Sequence, residues 1–265
     1  MKKILFINDF SNASKNALTY AKHLANITKS QIISYNPLTS HNKLNKIELA
    51  IDENLCEDKT EYLSYSNNEN TKLVINEDAI IKEILLIENN ENIDLVIIGI
   101  NYGDKVGESI FKNIGINLMK ETIVPLLVVP DKTIYSKIKS IAFAVDFILD
   151  NEIIMHKTIK DFLSCVNPKI IVLNVVKENA EIMTDRIVSE KNIEKYFENE
   201  NHIYSFIENN DLILGLKDFI SCNNIDMITM IPHKHNFLQN MFVRSKTNEM
   251  LNNTSIPLIV FPIDK

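Results

Sequence analysis

Residues with the chemistry to act on a ligand gather in three places along this chain. Asp9 and Asp146 each close a short apolar run, Lys3–Ile7 and Ile141–Val145. A carboxylate there can accept a hydrogen bond from a ligand at the end of a strand, or satisfy the amides that open a following helix. Four of the five glycines, Gly99, Gly103, Gly107 and Gly115, crowd into one short stretch. The third group is a basic loop, Pro232-His233-Lys234-His235-Asn236-Phe237, leading on to Arg244, Ser245 and Lys246. Cations converging on a helix start can hold an anion, whereas a solvated basic loop is the plainer alternative. His233 and His235 could open a metal site, but no third or fourth ligand follows at suitable spacing, so no metal is assigned.

Catalytic signatures are missing. The chain has no GxSxG elbow, no Gly-x4-Gly-Lys-[Ser/Thr] loop and no HExxH. The acidic segment Glu48–Glu61 reads as a solvated helix face rather than an acid–base store. Cys56, Cys165 and Cys222 are odd in number and far apart, which fits a reducing compartment and no disulfide framework.

These residues sit on 265 positions, enough for one large domain or two small ones at about 150 residues each. Hydrophobic residues make up 45% of the chain, so a sizeable core is available and global disorder is excluded. A formal net charge of −7 argues against general binding of nucleic acid or an anionic membrane. The first residues bring an acid too early for a secretory signal, and no apolar run approaches the ~20 residues of a bilayer span. A cytoplasmic location is expected.

The chain repeats itself. Pro125-Leu126-Leu127-Val128-Val129-Pro130 returns 132 residues later as Pro257-Leu258-Ile259-Val260-Phe261-Pro262. Ile93-Asp94-Leu95-Val96-Ile97-Ile98 returns at the same offset as Ile225-Asp226-Met227-Ile228-Thr229-Met230. Ile7-Asn8-Asp9-Phe10 matches Ala144-Val145-Asp146-Phe147 at an offset of 137. Two copies of one design follow, 1–130 and 138–265, joined by the short polar linker 131–137.

Each copy alternates strand and helix. In the first, strands are read at Lys3–Ile7, Gln31–Tyr35, Lys72–Ile75, Ile93–Ile98 and Leu126–Val129. Helices are read after Ser11, over Ile47–Tyr65, over Ile80–Glu88 and over Glu108–Glu121. In the second, strands fall at Ile141–Val145, Lys169–Val176, His202–Ile207, Asp226–Met230 and Leu258–Phe261, with a helix over Glu152–Val166. Fully apolar strands between amphipathic helices call for a parallel sheet covered on both faces. Right-handed crossovers then make each copy a doubly wound α/β layer.

The opening Ile4–Ser11 with Ala17-Leu18, the run Ile93–Gly99 and the closing Pro125–Val129 resemble the universal stress protein family, and their duplication resembles a tandem member. The resemblance implies two five-stranded parallel sheets of order 3-2-1-4-5. It also implies a contact between the closing strands Leu126–Val129 and Leu258–Phe261, with a further homodimer and an unidentified protein partner as open expectations.

One branch of that family binds ATP through Gly-x2-Gly-x9-Gly-[Ser/Thr] after the fourth strand, where glycines admit phosphate to the backbone. In the first copy the matching positions hold Gly99, Tyr102, Lys112 and Asn113. In the second they hold Ile231, Lys234, Arg244 and Ser245. The pattern is degenerate in both, so no ATP cofactor is expected. The pocket residues implied by the resemblance are Asp9, Gly99, Tyr102, Lys112 and Asn113 in the first copy. In the second copy the candidate ligand or anion pocket is Asp146, His233, Lys234, Arg244 and Ser245, His233 coming from the basic loop itself, and either carboxylate could meet a ribose or an amide. The expectation is a non-enzymatic binding or interaction module. The alternative is a nucleotide-dependent protein, even a slow ATPase, using Lys112, Lys234 and Arg244 in place of glycine amides.

Overall fold

A computed structural model describes residues 1–37, 45–47, 76–101, 106–144, 157–176, 194, 197, 200–230 and 255–262. The elements in order are β1 (Lys3–Ile7), α1 (Asn12–Thr28), β2 (Gln31–Tyr35), β3 (Asn45–Ile47), α2 (Glu77–Glu91), β4 (Leu95–Ile100), α3 (Val106–Glu121) and β5 (Leu126–Pro130). They continue with β6 (Ser140–Ala144), α4 (Lys157–Val166), β7 (Lys169–Val176), β8 (His202–Glu208), α5 (Leu212–Cys222), β9 (Met227–Met230) and β10 (Leu258–Val260).

Local chemistry sets the helix limits. The Ser11 side chain accepts from Ser14 N to start α1, and Lys29 ends it in the left-handed region at φ 55°. Asn76 accepts from Ala79 N to start α2, with Glu77 and Asp78 placed favourably in its first turn. Asp211 accepts from both Ile213 N and Leu214 N to start α5, a helix absent from the elements read along the sequence.

The ten strands among the described residues join one sheet in the order β3-β2-β1-β4-β5-β10-β9-β6-β7-β8. Within each half the ladders β2–β1–β4–β5 and β8–β7–β6–β9–β10 are parallel. The halves meet where β10 runs antiparallel to β5, with Leu258 opposite Val128, Ile259 opposite Leu127 and Val260 opposite Leu126. Leu127 thus faces its own repeat counterpart, 132 positions on, so a pseudo-twofold axis passes between them.

Alternation along each strand supplies both faces of the sheet. Leu5 and Ile7 join Val128, Val260 and the helices α2, α3 and α5 in one core. Ile4 and Phe6 join Leu127, Ile259 and the helices α1 and α4 in the other. Both cores run through the two halves without a break.

The first half departs from an all-parallel sheet, because β3 runs antiparallel to β2. Residues 36–44 are fewer than the dozen or so a parallel crossover needs, so the chain can only return alongside β2. Ile47 therefore closes a strand and does not begin a helix. The remainder of that helix, 48–65, and the strand read at 72–75 lie outside the described residues.

The amino ends of the strands are tied identically in both halves. Asp94 Oδ2 accepts from Lys2 N at 2.6 Å and Lys3 N at 2.9 Å. Asp226 Oδ2 accepts from Lys139 N at 2.8 Å and Ser140 N at 2.9 Å. The same acids donate their own amides to Lys3 O and Ser140 O.

The connection after β5 is held against α1. Asn16 Nδ2 donates to Asp131 O and Thr133 O, and the Tyr135 ring stacks on His23 at 3.9 Å. Among the described residues, no helix is long and apolar enough to cross a membrane.

Candidate functional site at the carboxyl edge of the first half

In open α/β sheets ligands bind where strands deliver their carboxyl ends. In the first half that edge is made by the residues after β1, the end of β4 and the start of α1, with α3 alongside. The apolar run of β1 stops at Asn8, whose amide still bonds Tyr35 O at 2.9 Å. From there the turn satisfies itself. Asn8 Oδ1 accepts from Phe10 N and from Ser14 Oγ, each at 3.1 Å, and Asp9 Oδ1 accepts from Ser11 N at 2.9 Å. Phe10 takes the left-handed region at φ 61° to complete it.

Asp9 therefore does not cap α1. It makes a turn onto the amide two residues on, and Ser11 is the cap. Burial holds the Asp9 carboxyl above its ordinary value of 3.8, against the opposing pull of its hydrogen bonds to Ser11. A carboxyl here stands beside a helix start, able to accept a hydrogen bond from a ligand hydroxyl or amide.

Gly99, near the end of β4, is used for packing. A Cβ there would fall 2.6 Å from Ser14 N and closer still to the Ala13 carbonyl group. The first turn of α1 rests directly on the β4 backbone, and only glycine permits that approach.

Lys112 and Asn113 lie in the second turn of α3, past the helix start at Val106. Amides there are spent on the helix ladder, unlike those of the first turn. Asn113 Nδ2 donates to Glu77 Oε1 at 3.2 Å, tying α3 to the start of α2. Nearby, Tyr35 donates its hydroxyl to Glu83 Oε2 at 2.6 Å, and burial with that carboxylate pushes the phenol up.

The structure thus brings Asp9 and Gly99 both to the start of α1, with Lys112 and Asn113 on α3. Tyr102 lies outside the described residues, as do Asp146, His233, Lys234, Arg244 and Ser245. Among the described residues no cluster of three or more His, Cys, Asp or Glu is placed to hold a metal. Asn8 and Ser14 were not singled out from sequence, although the Asn8-Asp9 pair ahead of a serine is itself a turn signal.

Comparison with known proteins adds two findings. Residues 1–130 match the profile of the universal stress protein family. Among solved structures, a universal stress protein from Archaeoglobus fulgidus DSM 4304 is similar over 98% of this chain and 96% of its own, at TM-score 0.53 and 13% identity. A functionally unknown protein from Pseudomonas aeruginosa PAO1 is similar over 100% and 93%, at TM-score 0.59 and 12% identity. At such identities the likeness is one of fold. No curated protein matches the chain.

Proposed function

Residues 1–130 place this chain in the universal stress protein family, and from that premise we propose that it is a tandem member acting in the stress response as a non-enzymatic binding module. Its work is recognition through its surfaces and through small polar groups at the sheet's carboxyl edge, without phosphoryl chemistry. One observation carries the reading. Where the ATP-binding branch places a glycine followed by a hydroxyl residue, this chain has Lys112 and Asn113, set one turn into α3, with the Asn113 amide engaged by Glu77.

Two further facts support it. Gly99, the one glycine that keeps the family spacing, is occupied by contact with the α1 backbone. The second copy has Ile231, Lys234 and Arg244 at all three glycine positions. Bulky side chains in such a loop fill the space a triphosphate needs and remove the close amide approach.

The test is thermal unfolding with and without millimolar ATP and magnesium. A ligand at about a hundredfold excess over its Kd adds about 2.7 kcal/mol of stability. For a chain of this size that raises the midpoint by several degrees, at about 2–4 °C per kcal/mol. An unchanged midpoint is expected. A rise of that size would overturn the reading in favour of a nucleotide-dependent protein using Lys112, Lys234 and Arg244.

A further inference from the structure

The segment joining the two halves, residues 131–139, is an ordered strap rather than a free tether. Asn16 Nδ2 holds Asp131 O at 2.7 Å and Thr133 O at 3.1 Å, and Thr133 is buried. The Tyr135 ring lies flat on His23 and edge-on to Tyr20. Ser136 Oγ donates to Asp226 Oδ1 at 3.1 Å, and Lys139 N donates to Oδ2 of the same acid. Between the anchors at Thr133 and Tyr135 stands Ile134, 89% exposed. Its backbone is held from both sides, so a partner that covers the side chain needs little further ordering.

The next residue, Tyr135, already belongs to a small apolar groove. His23, Leu24 and Ile27 of α1, Tyr135, Lys137 and Ile138 of the strap and the end of α4 line it. Leu24 and Ile138 are buried, while Ile27 is 46% exposed. An apolar centre of this kind, framed by polar groups, is the anatomy of a protein-docking patch.

The charges around it have one sign. Lys132 and Lys137 of the strap, Lys139 at its end and Lys29 at the end of α1 are exposed. Among the described residues none of the four pairs with a carboxylate. α1 contains no acid. The acids in reach are engaged or turned inward, because Asp226 accepts from the strap and from Ser140 N, and Asp131 Oδ1 is buried. On the opposite face of the sheet α2 carries Glu77, Asp78, Glu83, Glu88 and Glu91 against Lys82.

That combination selects among anionic partners. A phosphate backbone offers nothing to Ile27 and Ile134, and the patch has no arginine to read phosphate with two parallel bonds. An anionic bilayer calls for a broad apolar helix face and is repelled by a chain of net charge −7. A carboxylate-bearing peptide with an apolar side chain satisfies both features at once.

We propose that the strap and the groove beside it form a docking surface for an acidic segment of a partner protein, with an apolar side chain set against Ile134 and the groove and its carboxylates facing Lys132 and Lys137. This deepens the reading of the chain as a binding module and rests on it. Apolar contact supplies the affinity, and the lysines supply steering and choice of partner.

Short fluorescein-labelled peptides, read by anisotropy on the full chain without nucleotide, test the surface. The first peptide carries alternating Asp and Glu around a central Leu-Phe pair. The second replaces that pair by Ser-Ser, and the third replaces every acid by Gln. The first should bind saturably, about tenfold or more tighter than either control, and more weakly as salt is raised. Ile134→Ser and Lys137→Glu, both at exposed positions, should each weaken it about fivefold or more with the melting midpoint unchanged. Equal affinity for the three peptides, no saturable binding of the first, or parental affinity in either variant overturns the proposal. So does tighter binding of a short DNA duplex or of phosphatidylserine vesicles than of the first peptide. Any of these failures leaves the thermal test with ATP standing, so the two readings fall separately.

Discussion

The amino and carboxyl edges of the sheet, built from the same strands, have fared differently in the two halves. At the amino edge Asp94 and Asp226 receive two strand amides each, at distances agreeing within 0.2 Å, 2.6 and 2.9 Å against 2.8 and 2.9 Å. Val96 N to Pro125 O and Ile228 N to Pro257 O repeat equally closely, at 2.9 and 3.0 Å. At the carboxyl edge the first half has the polar turn of Asn8, Asp9 and Ser11. The aligned residues of the second copy are Val145, Asp146 and Ile148, of which only the acid could reproduce those bonds. The amino edge sets how strands register, which every copy of the fold needs. The carboxyl edge is where ligand chemistry is grafted on, and there the copies are free to part.

That contrast can be broken most severely at Gly99. Gly99→Ala forces a Cβ into the backbone of Ala13 and Ser14, and should cost about 3 kcal/mol in urea unfolding. A cost near zero would mean α1 does not rest on β4 as described. A smaller, paired effect is expected at the amino edge. Asp94→Ala and Asp226→Ala each orphan two amides and should each cost about 1–2 kcal/mol. The informative quantity is their similarity, since one large and one negligible value would end the equivalence of the two clasps.

The smallest effect sharpens the carboxyl edge. Because burial holds Asp9 above 3.8, the folded protein binds its proton more tightly than the unfolded chain does. The stability this gives is full at low pH and is lost as pH rises through the folded value. Asp9→Asn does not titrate, so its stability relative to the parent should climb from about pH 4 upward and then level off. A flat or falling difference, followed by denaturation across that range, would contradict a buried Asp9.

Much of the scaffold is readable from residue order because strong apolar periodicity needs no long-range information. The runs Lys3–Ile7 and Lys169–Val176 are strands with those limits, and Ser11 caps α1. β3 escapes such reading because three residues are too few to show a period. In α5 the Asp211 cap and the spacing of Ile213, Leu216 and Ile220 do signal a helix. The unbroken apolar start Leu212–Leu214, followed by Gly215, hides that signal behind a strand-like run. In the candidate site, Asp9 and Gly99 can be located by position, but their roles cannot. Whether a glycine serves a phosphate or a neighbouring helix depends on what the fold brings against it.

Residue order alone specifies the repeat, the alternating strands and helices, and the degenerate glycine spacing, since these are local patterns of polarity and punctuation. Folding alone decides that Leu127 meets Ile259 and that α1 rests on Gly99. Each of those depends on residues far apart in the chain, whose meeting is set by packing both faces of one continuous sheet.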